Sequence, residues 1–240
     1  MIELRAARSG DASLLRGWEK HPHVPSAAED WGWESDLGPR DWREQLIAEL
    51  DGRPVGFVQI IDPAREETRY WGDVPANLRA IDIWIGEPQD LGKGYGTTIM
   101  RQAIARCFAD AAVSAILVDP WADNTRAHRF YEGLGFRAVG PRRFGGDECL
   151  VFRLERPVRW EVADEYDFEA FARLGRALGA MGFDVQDKLS GVAGSQDYSR
   201  WELTCPEGLV VVEAETYMGL SVEGPADLVS RLRERYLSSS

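Results

Sequence analysis

Apolar and polar residues alternate over short stretches through much of this chain, and helical spacing takes over in only a few places. Ile2–Ala6 predicts a short strand, and Ala12–Glu19, after Ser9-Gly10-Asp11, a helix with Leu14, Leu15 and Trp18 on one side. Trp42–Leu50 and Pro54–Ile61 flank Asp51-Gly52, a pair that tolerates positive φ and predicts a hairpin. In Leu78–Ile85, Ile81, Ile83 and Ile85 share one face of a strand while Ala80, Asp82 and Trp84 share the other. Tyr95–Phe108 repeats Ile99, Ala103 and Cys107 at helical spacing. Ala115–Val118 is a short, wholly apolar run of the kind a central parallel strand carries. A helix over Thr125–Leu134, closed by Gly135, and strands over Phe136–Gly140 and Cys149–Leu154 follow.

Two stretches, 20–39 and 62–77, show neither period. Loops of that length are often functional, and these hold Trp31, Trp33, Tyr70 and Trp71 together with Glu66, Glu67 and Asp73. Arg156-Pro157 reads as a boundary. Residues 157–240 then predict a helix over Phe168–Met181, strands near Phe183–Lys188, Tyr198–Cys205 and Leu209–Glu215, and a helix over Ala226–Tyr236. The expected organisation is a first domain over 1–156 and a small α+β domain over 157–240.

Composition narrows the function classes. The 240 residues are 44% hydrophobic with nine Trp, enough for packed cores, and the net charge of −12 argues against a nucleic-acid partner, which calls for a basic surface. The second domain is the more acidic, with 8 Lys and Arg against 15 Asp and Glu. An acidic cleft suits a cationic substrate. The longest apolar run, 111–118, is too short to span a membrane and the start lacks an apolar leader, so the expectation is a cytoplasmic protein with no membrane partner. Cys107, Cys149 and Cys205 lie far apart with no metal-ligand spacing, and no metal is expected.

The sharpest chemical signal is Gln89–Thr97, QDLGKGYGT. It fails the register of a nucleotide P-loop and of a dinucleotide loop, but satisfies Q/R-x-x-G-x-G/A through Gln89, Gly92 and Gly94. Glycines before a helix let several backbone N–H groups converge on a diphosphate at the positive end of the helix dipole, although a tight strand-to-helix turn would use the same residues. With this loop in IDIWIGEPQDLGKGYGT, followed by VDPWADNTRAHRFYEGLGF, the chain resembles the GNAT superfamily of acyl-coenzyme A N-acyltransferases. Within it the resemblance is to aminoglycoside 6′-N-acetyltransferases and to the related hydroxylysine acyltransferases of siderophore synthesis. It covers residues 1–156 and is strongest from Ile81 to Phe136.

What the resemblance implies is an α/β (α+β) fold with a mixed sheet splayed between strands 78–85 and 115–119, and acetyl-coenzyme A as donor. Gln89, Leu91, Gly92, Lys93, Gly94, Tyr95, Gly96 and Thr97 would hold its pyrophosphate, and Asn124 its pantetheine. Asp82 would bind the amine or take its proton. Asp119 would be a second amine-binding carboxylate, or simply a turn opener before Pro120. Tyr131 would protonate the departing thiolate, its alternative being core packing. Trp33 and Trp71 are candidates for stacking on the acceptor, and Glu66, Glu67 and Asp73 either add negative charge there or are solvated. The function implied is direct acetyl transfer to a polyamine in a ternary complex. The alternatives are a hydroxylysine acyltransferase and a non-catalytic acyl-coenzyme A sensor, with residues 157–240 serving as cleft wall, binding module or homodimer interface.

Overall fold

The computed structural model describes residues 1–24, 37–38, 40–193 and 196–239, and Trp31 and Trp33 lie outside them. The chain divides into two compact units, Met1–Leu154 and Glu155–Ser240. Among the described residues no helix is long and apolar enough to cross a membrane.

The first unit is built on seven strands: β1 (Ile2–Ala6), β2 (Arg43–Leu50), β3 (Arg53–Ile61), β4 (Leu78–Ile85), β5 (Ala115–Val118), β6 (Arg137–Phe144) and β7 (Asp147–Glu155), in the spatial order β1-β2-β3-β4-β5-β7-β6. Asp51 and Gly52 take φ of 51° and 81°, the doubly positive backbone of a tight hairpin turn, and β2 pairs antiparallel with β3 from there. Between β4 and β5 the pairing is parallel, and it runs only from Leu78–Ala115 to Ala80–Leu117. Beyond that rung β4 continues to Ile85 beside β3 while β5 ends, so the sheet splits.

Three helices complete the unit: α1 (Ala12–Trp18), α2 (Tyr95–Phe108) and α3 (Thr125–Glu132). The expected face assignment of β4 holds. Ile81 joins Leu46, Val58 and Ile116 beneath Ile99, Met100 and Ala103 of α2, each such burial contributing roughly 1.5–3 kcal/mol. On the opposite face Trp84, Phe57 and Ile47 pack with Leu15 and Trp18 of α1. At seven residues α1 is too short to hold itself together, and this packing fixes it. Helix α3 ends earlier than its apolar pattern suggested, because Gly135, at φ 90°, winds the chain back so that the N–H of Phe136 reaches the Tyr131 carbonyl at 3.1 Å.

The second unit is an antiparallel sheet of β8 (Val158–Ala163), β9 (Asp184–Ala193), β10 (Gln196–Cys205), β11 (Gly208–Glu215) and β12 (Gly219–Gly224), ordered β8-β12-β11-β10-β9. Helices α4 (Phe168–Ala180) and α5 (Ala226–Ser238) bury Leu174, Leu178, Leu228 and Leu232 with Val210, Val212 and Val222. Sequence reading missed β8 and β12. Gly219 at φ 80° starts β12, and a Cβ there would lie 2.4 Å from the Ala163 carbonyl oxygen, so this glycine marks the close approach of β12 to the end of β8 rather than a loop.

Gly86 faces the same kind of constraint in the first unit. A Cβ on it would fall 2.0 Å from Cε2 of Trp18, whose side chain is buried. Gly86→Ala should therefore destabilise the protein by about 1–3 kcal/mol, the usual cost of overpacking a filled core. Urea unfolding followed by tryptophan fluorescence tests this, and an unchanged midpoint would show that Trp18 is free to move.

Candidate active site

The split places two carboxylates on opposite sides of one gap. Asp82 follows Ala80 on the same face of β4, two residues past the last rung shared with β5, and Asp119 follows Val118 at the end of β5. Among the described residues each accepts one side-chain hydrogen bond: Gln59 Nε2 donates to Asp82 Oδ2 at 3.1 Å, and the Tyr70 hydroxyl donates to Asp119 Oδ2 at 2.7 Å. Burial pushes the Asp119 carboxyl up to about 7, helped by the negative charge of Asp82 and opposed by the Tyr70 hydrogen bond. Burial likewise raises Asp82, and Gln59 opposes it. Two carboxyls this desolvated do not both ionise readily unless a cation enters between them.

Tyr131 projects from α3 into the same electrostatic neighbourhood. Its side chain is buried among Phe130, Phe136 and Phe152, with ring centroids at 5.2, 5.6 and 6.2 Å. Burial raises its hydroxyl pKa, and Asp82 and Asp119 raise it further. Core packing and proximity to the carboxylates thus coexist in this residue.

The glycine loop begins with a 3-10 turn at Pro88–Asp90. Gly92 and Gly94 have φ of 74° and 79°, and a Cβ on either would meet nothing within 4 Å, so glycine is needed there for the backbone conformation and not for room inside the protein. Gly94 begins α2 without a side-chain cap, leaving the first-turn N–H groups of a fourteen-residue helix without intrahelical partners. That arrangement fits a diphosphate. Lys93 is engaged: its ammonium lies 3.1 Å from Asp90 Oδ1, and Asp90, almost fully buried, is also held by Arg53 at 2.6 Å. Asn124 caps α3 by accepting from the Ala127 N–H at 3.1 Å, which commits its carbonyl oxygen and leaves recognition to its amide N–H groups. Gln89, Gly92, Lys93 and Gly94 are exposed, and Leu91, Tyr95, Gly96 and Thr97 are half-buried.

Two expectations for the 62–77 loop change. Trp71 is only 3% exposed, packed with Leu78, Ala80 and Phe144, so its indole supports the wall and offers no open face to an acceptor. Glu66 is buried and is neither solvated nor a cleft charge. Its carboxylate accepts from the N–H groups of Thr68 at 2.6 Å and Tyr70 at 2.8 Å; burial alone would raise its pKa, but these donors hold it below the usual range. The aromatic side chain of this loop that faces outward is Tyr70, 48% exposed, stacked on Phe144 at 4.4 Å and bonded to Asp119, and Glu67 and Asp73 are exposed as well. Gln59, Gln45 and the anchoring role of Glu66 were missed. A polar residue inside the apolar run VGFVQII was the available signal for Gln59. Among the described residues no group of three or more His, Cys, Asp or Glu side chains is arranged to hold a metal ion.

A splayed mixed sheet, an uncapped helix start behind a glycine turn and a half-buried, desolvated carboxylate pair define an acyltransferase of the GNAT type. Consistent with this, the family model described as an acetyltransferase (GNAT) domain matches residues 8–144, and the chain belongs to that family. It is 30% identical over 155 residues to aminoglycoside N(6′)-acetyltransferase type 1 of Klebsiella pneumoniae, covering 58% of this chain and 75% of that protein. Lysine N-acyltransferase MbtK of Mycolicibacterium paratuberculosis is 29% identical over 171 residues, covering 64% and 73%. Among solved structures, aminoglycoside acetyltransferase AAC(6′)-Ib in complex with coenzyme A is similar with a TM-score of 0.58 and 25% identity, covering 72% of this chain and 98% of that one. AAC(6′)-Ib with paromomycin and acetyl-coenzyme A gives 0.57 and 25%, covering 72% and 96%.

The raised Asp119 pKa carries a stability prediction. As pH rises from about 4, where an unfolded aspartate ionises, to about 7, where the folded one does, the folded state loses stability. Asp119→Asn removes that loss, so the melting temperature of the variant relative to wild type should be higher at pH 8 than at pH 5. The same difference at both values would show that Asp119 is not raised in the folded protein.

Proposed function

We propose that this N-acetyltransferase transfers acetyl from acetyl-coenzyme A directly to an amine of an aminoglycoside-like polyamine, within a ternary complex. The observation that carries the reading is the pair of half-buried, desolvated carboxylates facing one gap, each held by one side-chain donor among the described residues. A pair that resists double ionisation when empty gains most from an acceptor with more than one ammonium group, because each cation restores one carboxylate. Similarity to an aminoglycoside N(6′)-acetyltransferase supports the same acceptor class.

Acetyl-coenzyme A, when bound, supplies the activated acetyl thioester. The first-turn amides of α2 and the backbone of 91–96 would hold its diphosphate, and Asn124 its pantetheine arm. Asp82 binds the acceptor ammonium and takes its proton: an N–H bond breaks, an O–H bond forms on the carboxyl, and the amine becomes a neutral nucleophile. Asp119 holds a second ammonium group and fixes the orientation of the acceptor. Tyr131, kept protonated by its raised pKa, gives its proton to the leaving thiolate. The effect of the Asp82 and Asp119 charges on Tyr131 supports a site shared by the three side chains.

Lysine N-acyltransferase relatives support a second reading, in which the acceptor is the side-chain amine of a lysine derivative or its N-hydroxylated form. Release of coenzyme A thiol from acetyl-coenzyme A, measured with 6′-amino aminoglycosides, lysine derivatives and a no-amine control, separates the two. Aminoglycoside-dependent release with a mass gain of one acetyl group is the expected result. Release with lysine derivatives alone would transfer the assignment to the second reading.

Asp82→Asn should slow turnover ten- to ten-thousand-fold, on the order of a lost general acid–base contribution, with the donor still bound. A near-normal rate across the pH range would remove Asp82 from the proton step. Tyr131→Phe should lower kcat with donor affinity retained. A lower melting temperature at unchanged kcat would leave Tyr131 a packing residue only.

A further inference from the structure

Three residues stand directly opposite one another across the sheet: Gln45 on β2 pairs with Gln59 on β3, and Gln59 pairs with Asp82 on β4. Their side chains form one chain on one face, Gln45 Nε2 donating to Gln59 Oε1 at 3.0 Å and Gln59 Nε2 to Asp82 Oδ2 at 3.1 Å. Gln45 is 5% exposed and Gln59 3%. On this face their neighbours along the strands are Ile47 and Phe57, both fully buried. Two carboxamides in such surroundings cost desolvation that an apolar pair would avoid.

The chain also has an unfilled end. Gln45 Oε1 is buried and, among the described residues, accepts no hydrogen bond. A carboxamide presents a donor and an acceptor of nearly the same shape, so turning both amides over preserves every contact while reversing its direction. In the reversed chain a protonated Asp82 donates to Gln59 Oε1 and Gln59 Nε2 donates to Gln45 Oε1, while the unpartnered position at the far end passes from the oxygen of Gln45 to its Nε2.

We propose that Gln59, backed by Gln45, is a reversible hydrogen-bond relay that holds the Asp82 carboxyl group in one position in both of its protonation states. The relay makes Gln59 and Gln45 positioning residues for the group that receives the amine proton. This consequence for catalysis rests on the acetyltransfer reading above, whereas the relay itself does not. The titratable groups facing Asp82 are Asp119 at the end of β5, Tyr70 from the 62–77 loop and Tyr131 from α3, with Arg142 and Cys149 acting on Asp119. Among the described residues none of these hydrogen-bonds to Asp82, and Gln59 does. A proton that settles on Oδ2 would leave a fixed donor mispaired and is accommodated by the reversed chain, whereas a proton on Oδ1 leaves Oδ2 to go on accepting from Gln59.

The test combines spectroscopy and kinetics. In an Asp119→Asn background, where Asp82 titrates without its coupled partner, the side-chain amide ¹⁵N signals of Gln59 and Gln45 should both shift with pH at the midpoint of Asp82. Both inflections should vanish in Asp82→Asn. Gln59→Met, close to isosteric, should move the Asp82 midpoint and the acid limb of kcat/KM upward by about one pH unit, because a donor to the charged form is lost. Gln45→Met should move both in the same direction by less, and should add nothing in the Gln59→Met background. A Gln59 signal that titrates while that of Gln45 stays flat would overturn the relay, as would a Gln45→Met effect that persists without Gln59. The amide and carboxyl titrations need no acceptor, so they judge the relay even if no amine is acetylated. If Gln59→Met does not fold, Gln45→Met and the amide titration of the parent decide alone.

Discussion

The site exists because parallel pairing between β4 and β5 stops at Ala80–Leu117. A sheet that stayed paired would bury the later residues of β4 against a neighbouring strand, with no room between them. Instead β4 remains anchored on its other side by β3 through Gly56–Ile85, and only the β5 side opens. Pro120 follows Asp119 and cannot donate to a parallel ladder, while the N–H of Leu150 on β7 takes up the Pro120 carbonyl at 2.9 Å. The strand that would have closed the gap is thus turned toward β7, and the gap is a product of backbone hydrogen bonding before any side chain is considered.

Side chains then exploit the opening. Asp82 and Asp119 occupy a region where charge is expensive, and Asp119 is correspondingly pushed to about 7. An isolated pair of this kind is a liability for folding, since each ionisation must overcome burial and the other charge. Its value appears only when a cation arrives: the same low dielectric that penalises two unpaired carboxylates strengthens their attraction for ammonium groups. Under the proposed function, the cost of the carboxylate pair and its preference for a polyvalent cation have one physical origin.

Local features of this scheme were legible in the sequence. Asp51-Gly52 announced the hairpin, the alternation through Ile81, Ile83 and Ile85 turned Asp82 to the opposite face, and the glycines at 92 and 94 adopt the positive φ that such a loop needs. The long-range partners were not legible. Gln45, Gln59 and Asp82 are separated by 14 and 23 positions and meet only because antiparallel strand register aligns them. In the second unit, Val158–Ala163 alternates Trp160 and Val162 with Arg159 and Glu161, yet its partner β12 lies near the other end of the chain, so neither strand was evident from its own neighbourhood. Glu66 and Trp71 misled for a related reason. Charge and aromaticity suggested exposure, whereas a carboxylate that gathers backbone N–H groups, and an indole that fills a wall, are stable when buried.

The 62–77 loop shows how such buried residues govern the exposed one. Arg69 and Gly72 bracket Tyr70 and Trp71 with φ of 54° and 67°, and the left-handed backbone at Arg69 has a cost that local sequence does not repay. Glu66 offsets it by binding the Thr68 and Tyr70 amides, Trp71 inserts into the core, and Phe144 stacks on the Tyr70 ring. The result is a phenol fixed from three directions with its hydroxyl on Asp119. Asp82 is held from within the sheet by a carboxamide, and Asp119 from a loop by a phenol. Strand register limits movement of the first carboxylate, while the loop sets the second, so change within 62–77 can move Asp119 without disturbing Asp82, the proposed proton acceptor.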